Sequence, residues 1–243
     1  LRSAGLLIGL ALAPLAQAQQ ATQVLPRPPE PFAGRIDPDK GKSTPAWPKQ
    51  VKAAPGAPNV VVVLLDDVGF AQSSTFGGVA ETPALEELAK SGLSYNQFHV
   101  AALCSPTRSA ILTGRNHHEV GFGNVANSSA GFPGYNSVWA KDTVSLPEVL
   151  RQNGYSTAAF GKWHNTPEWE ITPAGPFDRW PTSLGFEYFF GFHGGADNQW
   201  EPRLYRNTTP VEPGATPAQG YHLTADMTDD ATRWLRTLDA VYP

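Results

Sequence analysis

Asn59-Val60-Val61-Val62-Val63-Leu64-Leu65, followed at once by Asp66-Asp67, is the stretch on which the fold turns. Seven uncharged residues, mostly valine and leucine, read as a strand buried on both faces of a mainly parallel sheet, since a half-exposed strand would alternate apolar with polar side chains. Open α/β sheets place ligands beyond the carboxyl ends of their strands, so the two carboxylates stand where a site is expected. A lone aspartate there would read as a loop residue or a helix cap. An adjacent pair reads as oxygen ligands for a hard cation.

The same grammar recurs downstream. Thr82 can cap a helix with Pro83 at its first position, running through Leu85, Leu88 and Ala89 to a stop at Gly92. Leu93 to Val100 then alternates as a strand, with Leu93, Tyr95 and Phe98 inward. Ser145-Leu146-Pro147 opens a second helix that ends at Asn153-Gly154. It feeds a strand from Tyr155 to Phe160 and then Gly161-Lys162-Trp163-His164. Lys162 and His164 alternate, so both face one side if the strand continues. Ala174 to Phe192 is aromatic and glycine-rich and reads as a packed loop layer, with Asn198, Gln199 and Trp200 after it as pocket-lining candidates. A last helix has Thr224 as N-cap, Asp226, Asp229 and Asp230 in its early turns, and Trp234, Leu235 and Leu238 as its apolar face. His222 stands just outside its start.

Composition narrows the classes. A net charge of -4 without a basic cluster gives no footprint for nucleic acid, and no charge run marks a membrane surface. An apolar content of 41% is ample for a core, while 23 prolines and 23 glycines imply many loops. Leu1 to Gly5 leads through an apolar run, Leu6 to Leu15, into Ala16-Gln17-Ala18. This is the pattern of a secretory signal peptide over 1–18, too short for a membrane span, and it implies export to a periplasm or the outside. Residues 19–57 hold most of the proline-rich sequence and read as an extended arm or linker, with the globular part over 58–243. The chain opens on Leu1 and ends at Pro243 directly after a helical pattern, as expected of an N-terminal fragment of a longer protein.

Cys104 is the only cysteine, so an internal disulfide cannot explain it. Pro106 and Thr107 suit the first turn of a helix running to Gly114, which puts Cys104 at the positive N-terminal end, with Arg108 one turn on along the same face. A group built from that cysteine would sit in an electropositive pocket suited to an anion. His117 and His118 follow the helix. Adjacent imidazoles rarely serve one ion, so they are read as structural or as supports behind a site's own ligands.

Cys104-Ser105-Pro106-Thr107-Arg108, continued by Ser109-Ala110-Ile111-Leu112-Thr113-Gly114-Arg115, resembles the signature of the type I, formylglycine-dependent sulfatases. Gly161-Lys162-Trp163-His164 and Tyr221-His222-Leu223-Thr224 resemble two further motifs of that family, in the family's order. Asn165 departs from the leucine common in relatives. The resemblance implies an alkaline-phosphatase-like α/β fold, with a mainly parallel mixed sheet flanked by helices on both faces and only the N-terminal part present. It also implies hydrolysis of sulfate monoesters of the aryl type. Cys104 would be oxidised to Cα-formylglycine by a formylglycine-generating enzyme that reads the proline and arginine.

On that resemblance Asp66, Asp67 and residue 104 bind a calcium ion, Arg108 orients the modified side chain, and Lys162 binds a sulfate oxygen. His164 assists breakdown of the sulfated intermediate, and His222 protonates the leaving oxygen. The physical demand is the same: a sulfate ester needs an activated nucleophile, cations on its oxygens and an acid for the leaving group. The family pattern also needs an Asp-Asn pair and a second lysine downstream, so this chain alone is expected to bind metal weakly and turn over poorly. Two other readings stay open: a phosphodiesterase or phosphonate monoester hydrolase of the same superfamily, and a non-catalytic exported binding protein on this scaffold.

Overall fold

The computed structural model describes residues 31–241, so the leader read over 1–18 and the first part of the proline-rich arm lie outside the described residues. The described residues fall into two compact units that divide between Pro48 and Lys49. In the first, Arg35 and Thr44 exchange both backbone hydrogen bonds at 2.9 Å around a short turn, Lys40–Lys42, in which the Asp39 carboxylate accepts the Gly41 N–H at 2.9 Å.

The second unit carries four helices: α1 (Pro83–Ser91), α2 (Cys104–Thr113), α3 (Leu146–Gln152) and α4 (Leu223–Val241). Their ends follow local chemistry. Pro83 and Pro147 occupy first-turn positions whose N–H would be unpaired in any case, and the Ser145 hydroxyl accepts the Glu148 N–H at 3.2 Å. At the end of α2, Gly114 turns left-handed at φ 65° and donates its N–H to Ala110 O at 2.8 Å, a cap glycine makes without strain.

Four strands, β1 (Ala158–Lys162), β2 (Tyr188–Phe192), β3 (Leu204–Arg206) and β4 (Thr209–Val211), form one mixed sheet in the order β1-β2-β3-β4. The β1–β2 pair is parallel and the other two are antiparallel. A parallel pair needs a long crossover, supplied by residues 163–187, whereas β3 and β4 are joined by a tight turn in which Asn207 adopts φ 55°. Gly191 faces Gly161 across the parallel pair, and a Cβ on it would lie 2.0 Å from the Gly161 carbonyl oxygen. Only glycine allows the two backbones to approach so closely.

The pleat of β2 divides the core. Phe190 and Phe192 join Leu204, Tyr221 and Leu223 on the side of α4, where Met227 also packs and the Trp234 ring lies 6.2 Å from that of Phe160. On the opposite face Phe189 packs on His193, the residue after β2, and His193 packs on the fully buried Trp180. A further cluster of Val120, Phe122, Ala126 and Trp139 packs with Leu112 of α2 and with Leu184.

Several elements differ from the sequence expectation. Val60 to Leu65 make no strand ladder, and these residues are between 37% and 75% exposed. An interior strand needs a paired neighbour on each side and a covering layer, and among the described residues none pairs with this run. Leu93 to Val100 is likewise unpaired, with Leu93, Tyr95 and Phe98 exposed. The strand expected at Tyr155 to Phe160 begins three residues later, because its register is set by β2. Tyr188 to Phe192, read as loop, is that partner. Helix α4 starts at Leu223, so His222 and not Thr224 holds the cap position, and its Nδ1 accepts the Thr224 N–H at 3.3 Å. Leu235 is exposed, whereas Leu223 and Met227 supply the inward face with Trp234.

Candidate active site

The first residue of α2 is Cys104, which places its side chain at the end of the helix where unpaired N–H groups and the peptide dipoles concentrate positive potential. Its Sγ lies 3.2 Å from His164 Nδ1. One turn along α2, Arg108 donates through Nη1 to the Lys162 carbonyl at 2.7 Å and through Nη2 to Asp66 Oδ1 at 3.1 Å. Lys162, the last residue of β1, donates from Nζ to the other Asp66 oxygen at 2.7 Å. Asp66 is thus clamped between two cations whose side chains are almost wholly withdrawn from solvent, 9% exposed for Lys162 and 12% for Arg108.

These charges determine the protonation of their neighbours. Burial pushes the Asp66 carboxyl up, but the hydrogen bonds and charges of Lys162 and Arg108 outweigh it and hold the group below the ordinary carboxylate range. Burial, reinforced by the same two cations, lowers His164 to about 4, so its imidazole is neutral at neutral pH and one ring nitrogen is free to accept a proton.

The backbone around His164 is held from several sides. His164 adopts φ 53°, a left-handed conformation that costs a non-glycine residue about 1 kcal/mol, so it reaches the site by a turn and not by simple strand alternation after Lys162. Its N–H donates to His193 O at 3.2 Å, and its carbonyl accepts the Ser105 hydroxyl at 2.6 Å. The same hydroxyl accepts the Ala126 N–H at 3.1 Å, and Ser105 is fully buried. Asn165 Nδ2 donates to the Ser105 carbonyl at 3.3 Å. In place of an apolar leucine, the buried Asn165 therefore ties the segment after β1 to the first turn of α2.

Asp66, Cys104, Arg108, Lys162 and His164 thus form one linked cluster. Asp67 follows Asp66 in a left-handed conformation, φ 53°, and makes no hydrogen bond or ion pair among the described residues. His222 is not joined to the cluster. It is exposed at the start of α4, with its ring 5.9 Å from that of Trp200. Asn198 and Gln199 lie between β2 and β3: Asn198 Oδ1 accepts the Trp200 N–H at 2.8 Å, and Gln199 O accepts the N–H of Leu223, the first residue of α4, at 2.8 Å. His117 and His118 bond to the Phe122 carbonyl at 2.9 Å and the Tyr135 hydroxyl at 3.2 Å, in keeping with a structural role.

The oxygen donors of Asp66 and Asp67 match a hard divalent cation in chemistry, though two carboxylates fall short of the six to eight oxygens calcium takes. Among the described residues no group of three or more His, Cys, Asp or Glu is gathered as a metal site.

Sequence reasoning missed Ser105, Asn127 and His193. Ser105 lies inside the signature but nothing in its spacing reveals a bridging hydroxyl. Asn127 Oδ1 lies 3.1 Å from His164 Nε2, a contact across 37 positions that no local pattern encodes. His193 is boxed by Trp180, Phe189 and Tyr205, its Nδ1 is 3.2 Å from the Thr166 hydroxyl, and burial lowers it to about 3.

Comparison with known proteins gives the arrangement a family. The chain is 37% identical over 159 residues to an uncharacterised sulfatase of Schizosaccharomyces pombe, covering 62% of this chain and 27% of that protein. It is 32% identical to an arylsulfatase of Klebsiella aerogenes, with 60% and 30% covered, and 34% identical to arylsulfatase A of Bos taurus, with 78% and 37% covered. The matched stretch therefore spans about a third of the length of these relatives. The solved structure titled Ps i-CgsB superposes with a TM-score of 0.56 at 26% identity, covering 71% of this chain and 40% of that one. The PsFucS1 sulfatase from Pseudoalteromonas sp. shares the fold, with a TM-score of 0.52 at 19% identity over 73% of this chain and 40% of its own. The sequence profile described as Sulfatase matches residues 58–241, which include every member of the cluster around Cys104, and the chain belongs to that family, with its alkaline-phosphatase-like α/β fold.

Proposed function

We propose that the full-length protein hydrolyses sulfate monoesters, aryl sulfates among them, at the site centred on residue 104. The observation that carries this reading is the meeting of Cys104 Sγ with His164 Nδ1 at 3.2 Å beside the Asp66 carboxylate clamped by Lys162 and Arg108. The thiol stands where the hydroxyls of a hydrated formylglycine would be, and that modification would supply a nucleophilic oxygen with a second hydroxyl on the same carbon. Asp66 and Asp67, with the oxygen of residue 104, would hold calcium, whose charge would lower the proton affinity of a bound oxygen and offset charge on sulfate.

The chain's own residues do the rest. The N-terminal end of α2 and the Lys162 ammonium supply positive potential for the sulfuryl oxygens, and Arg108, one turn after residue 104, ties α2 to the Lys162 carbonyl and to Asp66 through its two hydrogen bonds. His164, neutral, accepts a proton from residue 104 at Nδ1. His222, exposed beside Trp200, is assigned to the leaving oxygen on its position in the family motif.

Pro106 is fully buried in the folded chain, so a formylglycine-generating enzyme that reads it must act before α2 packs. Such maturation accords with export, as the leader sequence over 1–18 implies. Among the described residues no helix is long and apolar enough to cross a membrane.

The test is a rate comparison on the full-length protein produced together with a formylglycine-generating enzyme. Cleavage of an aryl sulfate that is lost in Cys104→Ala and exceeds cleavage of an aryl phosphate diester supports the assignment. Preference for the diester, or full activity in Cys104→Ala, contradicts it.

A further inference from the structure

We infer that Asn127 is a positioning residue for His164, fixing the imidazole in the tautomer that carries its proton on Nε2 and leaves the Nδ1 lone pair directed at residue 104. The inference rests on the proposed role of residue 104 as the reacting group, and it concerns how the partner base is set rather than which ester is cleaved.

A neutral imidazole has one N–H and one lone pair, and the hydrogen bond at one nitrogen decides which is found at the other. Here the two nitrogens have different partners. Nε2 faces the amide oxygen of Asn127 at 3.1 Å, and an amide oxygen can only accept. Nδ1 faces Cys104 Sγ at 3.2 Å, a group that carries a transferable proton. With the proton on Nε2 both contacts are satisfied, and Nδ1 becomes the atom to which residue 104 passes its proton: the bond to hydrogen at residue 104 breaks and the Nδ1–H bond forms. With the proton on Nδ1, two acceptors would face each other at Nε2.

The placement of Asn127 is built rather than incidental. It sits on the short turn Ala126–Ser128, and the Ala126 N–H is fixed to the Ser105 hydroxyl at 3.1 Å. That hydroxyl in turn donates to the His164 carbonyl at 2.6 Å. One buried side chain thus sets the distance between the turn that carries the acceptor and the backbone that carries the ring. The ring also lies close against the Gly195 backbone, where an added Cβ would come within 2.9 Å of Cε1 and 3.0 Å of Nε2, so a side chain at position 195 would push the imidazole from its place.

The tautomer can be read directly. Full-length protein labelled with 15N-histidine gives long-range proton–nitrogen correlations that distinguish Nε2–H from Nδ1–H, with His164 assigned by the signals missing from His164→Gln. The wild type is expected to show Nε2–H. Asn127→Leu, at an exposed position, should yield a mixture of tautomers and lower kcat tenfold or more with KM and the urea midpoint little changed. Asn127→Gln, which keeps the acceptor on a longer arm, should recover part of both. A wild-type ring protonated on Nδ1, or a tautomer unmoved by Asn127→Leu, would overturn the inference. Nε2–H in a protein inactive on sulfate esters would uphold it while removing the proposed activity.

Discussion

His164 is buried, neutral and held in left-handed backbone geometry between Ser105 on one side and His193 on the other. The Ser105 hydroxyl is the single atom that joins α2, the Ala126 turn and His164, so Ser105→Ala leaves a buried carbonyl and a buried N–H without partners. We expect a loss of about 1–3 kcal/mol in denaturant unfolding, together with reduced turnover. Lys162→Met removes the ammonium that faces Asp66 and, on the proposed reading, the sulfuryl oxygens. Its kcat should fall by roughly 10²–10³-fold, and a fall of less than about threefold would argue that Lys162 serves only to hold Asp66. At this scale residues were legible where chemistry is written into contiguous motifs: Asp66, Cys104, Arg108, Lys162 and His164 were singled out there, and hydrogen bonds and ion pairs link them in the fold, while their grouping and roles rest on the family resemblance. Asn127 and His193 were not, because each acts through a contact between distant segments. His222 was read from its motif, and the fold leaves it outside the linked cluster.

Helices were more readable than strands. Prolines, serine caps and glycine stops fix helix ends locally, and α1, α2 and α3 fall where those signals stand. Strand identity depends on a partner. Tyr188 to Phe192 hides its period of two because aromatic residues occupy both faces, and Val60 to Leu65 reads as an interior strand that finds no neighbour among the described residues. The β1–β2 contact makes a sharp prediction. Gly191→Ala drives a methyl to 2.0 Å from the Gly161 oxygen, a clash with backbone that cannot be relieved by a rotamer, so the variant should not form the parallel pair. Trp180→Ala, on the other face, should cost about 3–5 kcal/mol by the area and cavity it vacates. Near-native unfolding midpoints in either variant would show that these faces pack differently.

For the molecule as a whole, two buried neutral histidines link stability to pH. His193 is lowered to about 3 by burial, and His164 to about 4 by burial and then by Lys162 and Arg108. Above pH 6.5 neither affects the pH dependence of stability, since both states are neutral. Below it the unfolded chain takes up protons that the folded chain refuses. Each histidine then removes up to about 1.4 kcal/mol per pH unit, a loss that levels off below the folded values. The urea midpoint should therefore drop steadily from pH 6.5 to pH 5 and stay level from pH 7 to pH 8; a flat profile between pH 6.5 and pH 5 would mean these rings are not buried neutral. The larger claim is that the fold exists to present residue 104 to His164 among Asp66, Lys162 and Arg108, with the cysteine as precursor to the reacting group. Mass spectrometry of the peptide containing Cys104, from full-length protein isolated from its native host, tests that claim most directly. It should find an aldehyde or its hydrate at position 104, and a fully retained thiol would rule out the cysteine as precursor of the reacting group.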